Sequence, residues 1–175
     1  MLAGIRSRTF GTTLALALAV SGLLVPATAH AAVGDLECQG TQETTFDPPL
    51  TNTTRLTKVK VTETWSTCAD PAGITSGRGD LEVTVPSSCQ SLGFGPESTV
   101  EYKWNNGRKS ALRWTTVSVT RLTATSEVVK TGSVTDGYGQ DDAATETITL
   151  VNPDLLACAA SGVPSAQGVE VLTFQ

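Results

Sequence analysis

Between Ser98 and Thr123 the chain reads STVEYKWNNGRKSALRWTTVSVTRLT. Asn105, Asn106 and Gly107 lie between two runs whose apolar residues fall at every second position, the pattern of a β-hairpin. The apolar residues Val100, Tyr102 and Trp104 precede the turn, and Leu112 and Trp114 follow it. A two-residue turn at Asn106-Gly107 sets Val100 against Arg113 and sends one strand's apolar set to solvent. A three-residue loop over Asn105–Gly107, with Gly107 left-handed, sets Val100 against Leu112 and Trp104 against Arg108. The second register is predicted. Farther on, the apolar phase moves from Leu112 and Trp114 to Val117 and Val119. One extra residue near Thr115-Thr116 accounts for this, a β-bulge that bends the strand.

The remaining strands follow from alternation and from turn residues. They are expected over Cys38–Thr45, broken by Asp47-Pro48-Pro49, then over Arg55–Ser66 with Val59, Val61 and Trp65 on one face. After a loop from Ala69 to Asp80 come Leu81–Val85, the hairpin, Ser126–Thr135, Ala144–Val151 and Gln167–Phe174. Helix signals are sparse. One short helix is predicted after an Asn152 cap, with Pro153 in its first turn, Gly162 past its end, and Leu155 and Leu156 plugging the core. The expected class is all-β: an antiparallel, immunoglobulin-like β-sandwich of about eight strands with one short helix, or alternatively a closed β-barrel.

The start of the chain reads differently. Arg6 and Arg8 precede an apolar run from Leu14 to Val25, and Ala29-His30-Ala31 offers small residues for cleavage. This is the pattern of a bacterial secretory signal over residues 1–31, leaving a single domain over 32–175. The apolar run is too short to span a bilayer, which needs about 20 residues. No cysteine follows the cleavage point to carry a lipid and no apolar tail closes the chain, so a secreted, extracellular protein is expected. Two of the 12 Lys and Arg and none of the 17 Asp and Glu lie in residues 1–31, which leaves ten basic against 17 acidic residues, a net charge of −7. That balance argues against nucleic acid or an anionic membrane as partner. The only histidine, His30, goes with the signal. A mature chain without histidine has no Ser-His-Asp or Cys-His mechanism and no histidine-ligated zinc site.

Four cysteines in a secreted chain imply two disulfides. The first two strands fold about a point inside Leu50–Thr53, which brings Cys38 opposite Cys68 and leaves Cys89 for Cys158 on the short helix. The rival pair Cys68–Cys89 closes about a turn near Gly77–Gly79, but Ala69–Gly79 reads as loop. Each bridge contributes roughly 3–4 kcal/mol by constraining the unfolded chain. With no Cys-x-x-Cys spacing, neither a metal nor a cofactor is expected.

Several features invite a functional reading. Trp104 stands at the hairpin tip beside Arg108 and Lys109, where burial is hardest, and with Tyr102, Arg108 and Lys109 it makes the candidate contact for an extracellular ligand such as a polysaccharide. The bland alternative is a cation–π stack of Trp104 on Arg108. Trp65 and Trp114 read as core. Arg108, Lys109, Arg113 and Arg121 form a basic streak that reads as protection of an edge strand. Arg78-Gly79-Asp80 spells an integrin-type tripeptide in a loop. Asp136, Asp141 and Asp142 gather around glycines, but without the spacing of a calcium loop. The carboxylates available to a glycosidase (Glu101, Asp136, Asp141, Asp142, Glu146) sit in ordinary surface contexts, and no spacing singles out a pair.

The stretches Leu36-Glu37-Cys38-Gln39-Gly40, Val100 to Gly107, and Asp154-Leu155-Leu156-Ala157-Cys158 resemble small secreted β-rich actinobacterial proteins of unassigned function. The resemblance spans most of the mature chain and implies no activity. The tract Trp104 to Lys109 is also similar to one in the subtilisin-inhibitor family, whose cysteine spacing and reactive segment are missing here. The enediyne apoproteins share the sandwich class but close short loops with their bridges. The expectation is a secreted, non-catalytic binding module for extracellular or cell-wall glycans. The alternatives are a protease inhibitor presenting Ala69–Asp80 and a carboxylate-only glycosidase.

Overall fold

The computed structural model describes residues 36–92, 95 and 97–175. The secretory signal expected over residues 1–31 lies outside them. The described chain forms strands β1 (Leu36–Leu50), β2 (Arg55–Ala69), β3 (Gly77–Ser87), β4 (Ser98–Trp104), β5 (Lys109–Arg121), β6 (Thr125–Gly137), β7 (Ala143–Val151) and β8 (Val163–Phe174). A single short helix, α1 (Leu155–Ala159), interrupts them. Each strand pairs antiparallel with the next, and β8 returns to β1, so the sheet closes into an eight-stranded barrel.

The all-β class, the strand number and the short helix are as expected, but the sandwich is not: one sheet closes on itself. Closure needs bends, and the register slips at Gln39/Gly40 in β1 and at Ala111/Leu112 and Trp114/Thr116 in β5. The last of these is the predicted bulge. The hairpin register is also as predicted, with Val100 opposite Leu112 and Gly107 left-handed at φ 83°. Disulfides join Cys38 to Cys68 and Cys89 to Cys158.

Two local expectations are corrected. Asp47-Pro48-Pro49 does not break the first strand, which runs on to Leu50 through a cis peptide at Asp47-Pro48. The helix starts two residues later than the Asn152 cap implied. Asp154 caps it by accepting from the Leu156 amide, and Leu155 and Leu156 point to solvent rather than into the core. Asn152 is instead spent on the β6 start, where its Oδ1 accepts from Ser126 Oγ at 2.6 Å.

Alternation divides the strands cleanly. Glu37, Gln39, Thr41, Glu43 and Thr45 of β1 face solvent, while Leu36, Cys38, Gln42, Thr44 and Phe46 face the lumen. A barrel that crosses a membrane carries its apolar residues outside; this one carries them inside. The lumen holds two apolar clusters. At one end Trp65, Tyr102, Trp104, Trp114 and Phe174 pack with Ile74 and Leu36. At the other, Phe46, Leu50, Val59, Val128, Ile148 and Leu150 pack with both cysteines of the Cys89–Cys158 bridge.

Candidate functional site

Between the two apolar clusters lies a polar layer. Gln42 of β1, Glu63 of β2, Lys130 of β6, Glu146 of β7 and Glu170 of β8 are all buried. Lys130 Nζ reaches Glu63 Oε1 at 3.1 Å, joining walls separated by three strands, and Glu146 Oε2 at 2.8 Å. The Trp114 ring stands against the ammonium, 5.3 Å from Nζ to its centroid. The Tyr102 hydroxyl donates to Glu146 Oε2 at 3.4 Å, and Gln42 Nε2 donates to Thr44 Oγ1 at 2.8 Å.

Burial opposes the charge on Lys130, but Glu63 and Glu146 outweigh it and hold its pKa above the ordinary lysine value. The carboxylates respond the other way. Burial and then the charge of Glu63 push Glu146 up to about 8, against the pull of Lys130. Burial, Glu63 and Glu146 push Glu170 up to about 10. Carboxyl groups crowded in a dry interior hold protons that water would take from them.

The wall of the barrel is incomplete beside this layer. β3 pairs with β4 only from Gly77 to Asp80, while its remaining residues to Ser87 pair with β2 alone. β4 begins at Ser98, opposite Trp114, so β5 beyond Trp114 also lacks a partner on that side. Leu81, Val83 and Val85 of β3 and Val117 of β5 border the gap, Leu92, Gly95, Glu97 and Ser98 of the following segment line it as well, and the cavity of about 60 Å³ between them reaches Gln42 and Lys130. The segment after β3 is pinned beside the gap. Arg121 donates to the Cys89 carbonyl at 3.1 Å and to that of Gln90, and Arg113 pairs with Glu97 at 3.0 Å.

The residues chosen from sequence are placed elsewhere. Trp104 and Tyr102 are not surface contacts: they are 4% and 0% exposed. The physical reason is a pair of glycines on β3. A Cβ at Gly77 would stand 2.3 Å from Trp104 Cε3, and one at Gly79 2.3 Å from Tyr102 Cε1, so both rings lie flat on bare backbone. Trp104 Nε1 donates to Ser110 Oγ at 2.9 Å inside the core.

Arg108 and Lys109 are exposed. Arg108 stacks on Tyr138, not on Trp104, at 5.1 Å, and Lys109 pairs with Glu101 at 3.1 Å. The β4–β5 ladder removes the edge at Lys109 and Arg113 that the basic streak was expected to guard, whereas Arg121 lies on the part of β5 that pairs with β6 alone. Arg78-Gly79-Asp80 lies in strand rather than loop, with Arg78 and Asp80 paired to each other at 3.0 Å. Of the stretch Ala69–Asp80, the part before Gly77 is held down: the Asp70 carboxylate accepts from the Ala72 and Ile74 amides, Asn105 accepts from Thr75 and Ser76, and Ile74 is buried.

Glu146 is not in a surface context but at the centre of the lumen. Glu63, Lys130 and Glu170 were missed altogether. The signal that finds them is strand phase. Glu63 sits between Val61 and Trp65 on the face already assigned to the core, and Lys130 shares its phase with Val128. No known protein family, curated protein or solved structure matches the chain.

Proposed function

We propose that this chain is a secreted, non-catalytic binding protein that takes a small, mainly apolar ligand, or one apolar group of a larger ligand, through the gap between β3 and β5. The observation that carries the reading is the breach itself. Every other neighbouring pair of strands is bonded over much of its length, and among the described residues it is here that half-buried aliphatic side chains border a cavity reaching the buried charged layer. Eight strands enclose a lumen just wide enough for side chains or one small ligand. The cavity of about 60 Å³ is far smaller than a drug-sized pocket, which sets the size of what enters.

Native mass spectrometry of the secreted protein, followed by fluorescence titration with short aliphatic acids, amines and alcohols, tests the reading. Trp114 stands against Lys130, which lines the cavity, and its fluorescence is the readout. Binding that vanishes in Val83→Arg supports the site. No co-purified ligand and no response across the panel sinks it.

A glycan strand is the second reading, favoured by a different observation. Thr41, Thr62, Thr64, Thr149, Gln167 and Val169 line an outer groove of about 530 Å³ across β2, β1, β8 and β7. Its hydroxyl and amide groups suit a polyhydroxylated chain. Co-sedimentation with chitin, cellulose or cell walls that is lost in Val169→Asp and kept in Val83→Arg selects this reading over the first.

A further inference from the structure

The strands carry one carboxylate each from β2, β7 and β8 to a single place in the lumen. One oxygen of each of Glu63, Glu146 and Glu170 lies within 4.8 Å of the others. These residues are 2%, 0% and 2% exposed. Once all three carboxylates are ionised, as metal ligation requires, Lys130 supplies one positive charge against three negative ones, which leaves the layer two charges short; without a cation, Glu146 and Glu170 meet the deficit by holding protons. An uncompensated buried charge is among the costliest features a core can hold.

The unmet hydrogen-bonding atoms around this layer are mostly acceptors, with the Trp65 and Trp114 indole N–H groups the donors among them. Glu146 Oε1, both oxygens of Glu170 and Gln42 Oε1 have no donor. Gln42 is an observation separate from the carboxylates. It is 2% exposed, stands opposite Glu63 in the β1–β2 register, and has spent its amide nitrogen on Thr44. The unmet oxygens of Gln42, Glu63, Glu146 and Glu170 outnumber the unmet indole donors, and oxygens gathered in this way suit a cation.

We propose that the polar layer is a binding site for a hard divalent cation, calcium by its ligand chemistry, held by Glu63, Glu146 and Glu170 with Gln42 Oε1 as a neutral fourth ligand. Three features of the layer fit. The donors are all oxygens, which suits calcium, magnesium or manganese and not a soft metal. Calcium takes oxygens at about 2.3–2.6 Å, so two ligands on opposite sides of the ion stand about 4.6–5.2 Å apart. The 4.8 Å spread matches that span. Magnesium demands about 2.0–2.1 Å and keeps several waters, and a lumen packed at both ends has little room for them.

Charge closes as well: a divalent ion with Lys130 balances three carboxylates. Lys130 bonds Glu63 Oε1 and Glu146 Oε2 and leaves Glu146 Oε1 for the ion. Glu170 takes no bond from Lys130 and is the residue committed to the cation. The cavity that reaches Gln42 and Lys130 gives the path from solvent.

The test strips the purified protein with a chelator, then melts it with and without calcium chloride while native mass spectrometry counts bound metal. The expected result is one calcium per chain and a melting temperature raised by roughly 5 °C or more at saturation. Terbium, a calcium surrogate, should show emission sensitised by the buried tryptophans and quenched by added calcium. Glu170→Gln keeps the side-chain shape, removes one charge, and should lose both the bound calcium and the thermal shift. Asp141→Asn, in the turn between β6 and β7, should lose neither.

A stripped protein whose mass and melting temperature are indifferent to calcium overturns the proposal. So does a calcium response that survives Glu170→Gln and disappears with Asp141→Asn. Should Glu170→Gln fail to fold, the wild-type metal count and the tryptophan-sensitised emission decide the matter alone.

Discussion

The two ends of this barrel are built from the same eight strands to opposite specifications. At the aromatic end β3 is bonded on both sides, rings lie on bare glycine backbone, and Ile74 closes the floor. At the aliphatic end β3 loses one partner, half-buried valines border an opening, and the Cys89–Cys158 bridge pins the segment that crosses it. One end is sealed by ring packing and complete ladders. Both ends carry a disulfide, Cys38–Cys68 at the aromatic one and Cys89–Cys158 at the aliphatic one, so the difference lies in the wall, which is incomplete only at the aliphatic end among the described residues. A structural end and a functional end should respond differently to mutation, and that difference is measurable.

The largest effect belongs to the sealed end. Trp104→Ala should destabilise the fold by about 3–5 kcal/mol in denaturant titration, through lost packing against Tyr102 and Phe174 and the cavity left behind. The Ser110 hydroxyl loses the indole donor but keeps its bond to the Tyr138 carbonyl, so packing carries the cost. A loss under about 1 kcal/mol, with ligand binding abolished instead, would return Trp104 to the surface role that the hairpin tip suggested. Close behind comes the boundary between the two ends. Lys130→Met removes the only cation found among Glu63, Glu146 and Glu170 and should cost about 3–5 kcal/mol in chelator, the usual penalty for orphaning one side of a buried pair.

These two residues also mark what the sequence discloses and what it hides. Hairpin register, the bulge at Trp114/Thr116 and the Cys38–Cys68 bridge were legible, because each follows from period-2 alternation or turn chemistry within a few dozen residues; Cys89–Cys158, 69 residues apart, followed by elimination. Barrel closure was not. The β1–β8 ladder pairs Leu36 with Phe174 at opposite ends of the chain, and no local pattern distinguishes it from a second sheet. Trp104 was misplaced because exposure was judged from its own strand, whereas the slot that buries it is Gly77 and Gly79 on β3. The polar layer was half legible. Each of its residues lies on an inward phase, but a lone glutamate or lysine in a strand reads as an outward one until three other strands bring its partners to it.

The third effect concerns that layer and acid. Glu146 and Glu170, facing Glu63, Lys130 and Tyr102, have pKa values raised from 4.5 to about 8 and about 10. Folded protein therefore keeps protons that the unfolded chain has released, so unfolding sheds protons and stability falls as pH rises above 4.5. The fall ends for each group once its folded value is passed. In chelator, stability should drop by roughly 1–3 kcal/mol between pH 6 and 7. Stability that rises across this interval would mean that the carboxylates are ionised and paired.

The smallest effect is expected at the gap, and it sharpens the comparison most. Val83 borders the opening half-buried, whereas Ile148 lies on the same aliphatic end fully inside the lumen. Ile148→Ala should cost about 2–5 kcal/mol, as buried truncations do. Val83→Ala should cost under about 1 kcal/mol, because a side chain already facing a cavity has fewer packing partners to lose. The valine earns its place only if something else covers it. An apolar ligand should therefore raise the melting temperature of the wild type more than that of Val83→Ala. Equal losses for Val83→Ala and Ile148→Ala would mean that the gap is packed shut, and the aliphatic end would then be as structural as the aromatic one.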